Sequence, residues 1–119
     1  MTTTALDVKD VARRLATFAR ERDWEQFHSP KNIATALSVE ASELLEIFQW
    51  LSEKQSEELA PKTMERVREE VADVQLYLIR LCDLLNIDIA AAVDAKMAAN
   101  GRKYPVHKAR GSSKKYSEL

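Results

Sequence analysis

The chain has 119 residues, with 18 lysines and arginines against 19 aspartates and glutamates and a formal net charge of −1. This length predicts one domain, and the balanced charge excludes the broad basic surface that favours nucleic-acid binding. With only two glycines and three prolines, the chain has too few turn residues for a β-sandwich or barrel, and an all-α fold is expected.

The N-terminal region predicts a frayed end, a helix and an aromatic loop. Residues 1–6 are expected to fray, and residues 7–21 show one apolar face at a helical period. The N-terminus lacks the apolar run of a signal peptide, and no stretch approaches the roughly 18 apolar residues of a membrane span. The loop 23–30 carries two large aromatic residues and a histidine. Such loops bury their aromatics or use them to hold flat ligands.

A second helix is predicted over about 30–52, with Ser29 as N-cap and Pro30 at the first helical position. At about 100° per residue, Glu40 falls near the middle of its apolar stripe and Glu43 at the edge. A carboxylate on a core-facing stripe is costly unless it is paired, hydrogen-bonded or bound to a metal. Glu40 is therefore the first candidate functional residue.

A polar linker is predicted over 53–60 and a third helix over about 62–85. Glu70 and Asp73 border an apolar seam on this helix. The near-heptad spacing of this seam suits close helix packing. Because one small chain has too few helices to cover the seam, we expect a homo-oligomer. The seam consists of Val67, Val71, Val74, Leu78, Leu81 and Leu85.

The C-terminal region predicts a fourth helix over about 89–100, with Asp88 as N-cap and Gly101 as a natural stop. Residues 101–119 are basic and are expected to hold no regular element. This tail lacks a nucleic-acid-binding motif, so no nucleic-acid partner is expected. The single cysteine forms no internal disulfide, which favours a reduced, cytoplasmic setting.

Two acidic pairs carry most of the functional information: Glu40 with Glu43, and Glu70 with Asp73. Residues three apart share one face of a helix. Four carboxylates from two helices suit Mg²⁺, which takes oxygen ligands and commonly bridges protein carboxylates to phosphates. Spacing alone leaves a solvated surface equally open. Neither acidic pair has a histidine in the Glu-x-x-His pattern, which argues against a di-iron bundle.

The order Glu40-x-x-Glu43, a spacer and Glu70-x-x-Asp73 resembles the signature of the MazG-like all-α nucleoside triphosphate pyrophosphohydrolases. Further segments resemble the dCTP pyrophosphatase branch of that superfamily, so that the resemblance covers about residues 7–119. These segments are FARERDWEQFH at 18–28, PKN at 30–32, LEIFQW at 45–50, Lys96 to Pro105 and SSKKY at 112–116.

This resemblance implies a four-helix MazG-like bundle over a single domain 1–119. It also implies a homotetramer, built as a dimer of dimers, with active sites at subunit interfaces. The implied reaction is Mg²⁺-dependent cleavage of a deoxynucleoside triphosphate to the monophosphate and pyrophosphate. The implied substrates are dCTP and its base-modified analogues, and the implied role is nucleotide pool sanitation.

The resemblance also assigns roles to individual residues. The four acids would carry Mg²⁺, and the group that activates the water is left open. His28 suits a structural hydrogen bond or a ligand contact. Leu15 stands where a member of this family has a histidine. If that histidine contacts the nucleotide in relatives, Leu15 cannot repeat the contact, and the strictness of base choice would differ. The implied substrate contacts are Trp24, Phe27, Trp50 and Tyr77 around the base, and Lys96, Asn100, Arg102 and Lys103 at the phosphates.

Two alternatives remain open at this point. A broader MazG-like or dUTP-preferring pyrophosphohydrolase would share the same acidic pairs. A non-enzymatic helical module would use the third-helix seam to bind a partner, and it would have no need of four carboxylates beside that face.

Overall fold

The structure, a computed structural model, describes residues 4–119, and every regular element in that range is helical. The four long helices confirm the all-α prediction. No helix within the described range is long and apolar enough to cross a membrane. The α-helices are α1 (Val8–Glu21), α2 (Pro30–Phe48), α3 (Glu53–Glu57), α4 (Pro61–Leu84), α5 (Ile89–Lys103) and α6 (Val106–Ala109), and the 3-10 helices are Glu25–Phe27 and Tyr116–Glu118.

Side-chain caps begin three of the long helices: Asp7 caps α1, Ser29 caps α2 and Asp88 caps α5. The Ser29 hydroxyl accepts a hydrogen bond from the Asn32 backbone N–H at 3.1 Å, and Pro30 occupies the first turn of α2. Asp88 accepts the N–H of Ala91 at 3.1 Å and begins α5. Both predicted N-caps are therefore confirmed.

The predicted end of the second helix is wrong. α2 ends at Phe48 because Ser52 begins a new helix, α3, through a capping box with Gln55. The Ser52 hydroxyl accepts the Gln55 N–H at 3.1 Å, and the Gln55 side chain accepts the Ser52 N–H at 2.9 Å. The segment 53–60 is thus not a plain linker.

The C-terminal predictions need two corrections. α5 continues through Gly101 to Lys103, because Gly101 does not adopt the positive φ of a glycine C-cap and Pro105 lies just beyond the helix end. The tail is not irregular throughout, since it contains α6 and the second 3-10 helix. Within it, the Tyr104 and Tyr116 rings meet edge-on at 6.2 Å between centroids.

Contacts divide the chain into two compact units, one ending at Asn86 and the other spanning Ile87–Leu119. In the first unit α4 packs against both α2 and α1, around a small buried core of Ala19, Ile33, Ile47 and Ile79. The predicted single domain 1–119 stays a prediction. Of the predicted frayed end, residues 1–3 lie outside the described residues, and residues 4–6 are not helical.

Part of the predicted apolar seam on α4 is not covered by other side chains of residues 4–86. Exposed apolar side chains recur at seven-residue intervals along this helix and its C-cap: Met64, Val71, Leu78 and Leu85. A long apolar row in water is unfavourable, and the homo-oligomer stays a prediction.

Candidate active site

Three carboxylates converge between α2 and α4. One oxygen each of Glu40, Glu43 and Glu70 lies within 4.8 Å of the others. Glu40 and Glu43 are one turn apart on α2, and Glu70 comes from the facing helix. No lysine or arginine in residues 4–86 forms an ion pair with this group. The negative charge is therefore uncompensated by side chains of the first unit.

Two oxygens in this group are buried and lack a donor. Oε2 of Glu40 and Oε2 of Glu70 accept no hydrogen bond from residues 4–86. Burial, followed by the nearby carboxylates of Glu70 and Glu43, raises the pKa of Glu40 to about 7. Buried carboxylate oxygens without partners are costly, and a divalent cation relieves both the desolvation and the repulsion. This acid group therefore fits a hard metal ion.

The fourth predicted ligand, Asp73, lies one turn after Glu70 on α4. It is outside the group of three, yet its charge also raises the pKa of Glu40. Asp73 lines an adjoining cavity together with Glu40. The structure thus brings three acids together and places the fourth beside them, and the metal-binding role of all four stays a prediction.

The adjoining cavity has a volume of about 180 Å³. Pockets that hold a complete drug-sized ligand measure roughly 300–1,000 Å³, so this one suits a single flat group. Much of its lining is apolar or aromatic, and two acids also line it: Glu40, which belongs to the acid group, and Asp73, which lies beside that group. The lining residues are Leu15, Phe18, Trp24, His28, Glu40, Asp73, Leu76, Tyr77 and Arg80.

Trp24 and Tyr77, two of the predicted base contacts, line this cavity. A tight turn after α1 positions Trp24: Asp23 has a φ of +54°, and the Trp24 N–H donates to the Ala19 carbonyl at 2.8 Å. The Phe18 ring meets the indole edge-on, with 5.7 Å between centroids. Leu15 presents an aliphatic side chain to the cavity at the position where relatives were expected to carry a histidine.

Phe27 and Trp50 are not among the residues that line this cavity. Phe27 lies on the first 3-10 helix and is exposed, and its carbonyl accepts a hydrogen bond from Asn32 Nδ2 at 3.0 Å. Trp50 lies in the turn after α2, where it is 86% exposed. Their contacts with a base stay predictions.

The four predicted phosphate contacts belong to α5 in the second unit, and all four are exposed. Because α5 extends to Lys103, Arg102 and Lys103 are helical rather than part of a tail. The Lys103 ammonium lies 4.9 Å from the centroid of the Tyr116 ring. The phosphate role of these residues, which also include Lys96 and Asn100, stays a prediction.

Sequence reasoning missed three residues of the cavity: Phe18, Leu76 and Arg80. Arg80 is buried, and its Nε donates to Nδ1 of His28 at 3.2 Å. The structural hydrogen bond considered for His28 is therefore present. A periodicity signal was available, since Leu76 and Arg80 follow Asp73 by three and seven residues and share its helix face.

Comparison with known proteins decides the family. The model of the MazG-like family matches residues 35–119 of this chain. The chain belongs to the MazG-like family. Curated relatives of this MazG-like chain include dCTP pyrophosphatase 1 of Rattus norvegicus, 45% identical over 114 residues, with 94% of this chain and 67% of the relative covered. The Homo sapiens protein of the same name is 44% identical, with the same coverage.

A solved structure agrees with this assignment. A crystal structure of a pyrophosphatase from Archaeoglobus fulgidus superposes with a TM-score of 0.78 at 40% identity, and the match covers 88% of this chain and 98% of that one. The MazG-like chain described here therefore shares both sequence and fold with pyrophosphatases, and its relatives place it in the dCTP pyrophosphatase branch.

Proposed function

We propose that this chain hydrolyses dCTP, and base-modified analogues of it, to the nucleoside monophosphate and pyrophosphate. One observation carries the proposal: Glu40 belongs to both the acid group and the aromatic cavity, and Asp73, beside that group, also lines the cavity. A triphosphate held at the acids would thus have its base close to Trp24 and Tyr77. Membership of the MazG-like family makes the chain a nucleoside triphosphate diphosphatase.

We propose Mg²⁺ as the cofactor, held by Glu40, Glu43, Glu70 and Asp73. The buried oxygens of Glu40 and Glu70 that lack donors support this choice, and so does the all-oxygen donor set, which suits a hard cation. When bound, Mg²⁺ would neutralise negative charge on the phosphates and lower the pKa of a coordinated water. Because the carboxylates would hold the metal beside the cavity, they would also determine where the phosphate chain lies relative to the base.

The aromatic cavity supplies orientation and excludes water. Phe18 and Trp24 form one wall through their edge-on contact, and Tyr77 comes from α4. A flat base stacks on such rings with a gain of about 1–3 kcal/mol. We further propose that Lys96, Asn100, Arg102 and Lys103 bind phosphate oxygens, which their cationic and amide groups suit.

We also propose that the chain forms a homotetramer, as a dimer of dimers, and acts in nucleotide pool sanitation. The exposed row on α4 supports an oligomer, and so does Trp50, because an indole that is 86% exposed in one chain suits burial by a second chain.

Pyrophosphate release from each deoxynucleoside triphosphate, measured with Mg²⁺ and with a chelator, tests the activity. We expect release from dCTP with Mg²⁺ and none with the chelator. No release from any nucleotide would refute the proposal, and orthophosphate as the product would refute cleavage between the α and β phosphates. Efficient release from dUTP in the same panel would favour a dUTP-preferring enzyme.

A matched pair of variants tests the acid group. Glu43→Gln should abolish release, because it removes a carboxylate of the converging group. Glu46→Gln, three residues later on α2 and exposed, should leave activity unchanged. Equal activities in the two variants would remove Glu43 from the site.

A further inference from the structure

The cavity wall includes one arginine, Arg80, whose charge is only partly compensated. Arg80 is 7% exposed and lies on α4 seven residues after Asp73. Its Nε donates to His28 Nδ1 at 3.2 Å, and its Nη1 lies 3.5 Å from an Asp83 oxygen. Because the Asp83 side chain is 43% exposed, water screens this long pair.

The remaining N–H groups of Arg80 are available to an acceptor that enters the cavity. A guanidinium has five N–H donors, and the two contacts above occupy only two of them. The side chain lines the cavity, so a group bound there can accept hydrogen bonds from the guanidinium. The paired terminal N–H groups suit two neighbouring acceptors that lie in one plane.

His28 holds this guanidinium in place. Since Nδ1 accepts the Arg80 hydrogen bond, the proton of the neutral ring is on Nε2. Burial and the charge of Arg80 lower the pKa of His28, against a smaller opposing effect of Glu25, so Nδ1 is free to accept at neutral pH. The Trp24 and His28 rings also pack, with 6.5 Å between centroids. His28 is therefore a positioning residue.

We propose that Arg80 determines base specificity by donating to N3 and O2 of cytosine. The inference rests on the proposed function, because it takes the cavity as the base pocket. In cytosine, N3 and O2 are adjacent acceptors in the ring plane, which matches the terminal fork of Arg80. In uracil and thymine, N3 carries a hydrogen and is therefore a hydrogen-bond donor. It would face the N–H donors of Arg80 and could not accept from them. Arg80 therefore selects cytosine and disfavours the other pyrimidines.

The first test needs no substitution and so does not depend on the folding of a variant. It compares kcat/KM for pyrophosphate release from dCTP, dUTP and 3-deaza-dCTP, in which a C–H replaces N3. We expect dCTP to exceed each of the others by about tenfold or more, as for bidentate arginine contacts to bases. Equal efficiency with dCTP and 3-deaza-dCTP would overturn the inference.

The second test changes the donor. Arg80→Lys keeps the charge and loses the planar fork, so kcat/KM for dCTP should fall by about tenfold or more while dUTP and 3-deaza-dCTP change little. The matched control is Arg68→Lys on the same helix, where Arg68 is exposed and pairs with Glu65. An equal loss for all three substrates would make Arg80 purely structural and overturn the inference.

Titration calorimetry of dCMP and dUMP binding distinguishes failure of the inference from failure of the proposed function. We expect dCMP to bind the native protein about tenfold more tightly than dUMP, and Arg80→Lys to remove this difference. If this holds while no nucleotide releases pyrophosphate, the inference stands and the hydrolase assignment fails. If pyrophosphate is released but both monophosphates bind equally, the function stands and the inference fails.

Discussion

Lowering the pH from 8 to 6 should weaken Mg²⁺ binding by about tenfold, because the metal must displace a proton from Glu40. Burial and the Glu70 and Glu43 carboxylates raise the pKa of Glu40 to about 7. With that pKa the carboxyl is about 90% ionised at pH 8 and about 10% ionised at pH 6 in the metal-free protein. Only the ionised form is a ligand, so the apparent Kd rises by the inverse of that fraction.

Titration calorimetry with Mg²⁺ at the two pH values measures this change. Repeating the titration at pH 6 in buffers of different ionisation enthalpy counts the released protons, and we expect about one per bound ion. Glu40→Gln should bind more weakly and lose the pH dependence, whereas the exposed Glu46→Gln should retain it. The reasoning is refuted if the native protein binds Mg²⁺ equally at pH 6 and pH 8.

The same group predicts how the stability of the metal-free protein depends on pH. Unfolding returns the Glu40 pKa from about 7 to the ordinary value of 4.5. Between these values the folded state holds a proton that the unfolded chain releases, so stability falls as pH rises through this window. Thermal unfolding with a chelator should give a lower Tm at pH 8 than at pH 5.5, and Glu40→Gln should reduce that difference. A Tm difference unchanged in Glu40→Gln would assign it to other groups.

Three further predictions concern the caps, the cavity and the exposed row. Ser29→Ala should cost about 1 kcal/mol of unfolding free energy in urea, because it removes the cap of α2, whereas Ser38→Ala on the same helix should cost little. Trp24→Ala should raise KM for dCTP by about tenfold through lost stacking and leave Mg²⁺ affinity unchanged; an altered Mg²⁺ affinity would contradict separate base and metal regions. Leu78→Glu should lower the oligomer mass in light scattering, since Leu78 lies in the exposed row, and an unchanged mass would exclude this row as the interface.

Short-range signals predicted the ends of several helices. The Ser29 and Asp88 caps are hydrogen bonds to an N–H three residues away, so nearby residues determine them. The same reasoning failed at Ser52, where a capping box begins α3 and competes with continuation of α2. It also failed at Gly101, where α5 continues because the glycine does not adopt a positive φ. Local propensity is a weak determinant when two acceptable local structures compete.

The sequence by itself determined that Glu40 sits on an apolar stripe, since one helical period decides that, and it placed Glu43 on the same helix face. Only the tertiary structure decided which side chains share a site. It places Glu70 close to the two acids of α2 and puts Trp24 and Tyr77 in the lining of one cavity. It also brings Arg80 within hydrogen-bond distance of His28. These contacts link residues tens of positions apart, so they depend on how α1, α2 and α4 pack, which residue spacing along one helix does not specify.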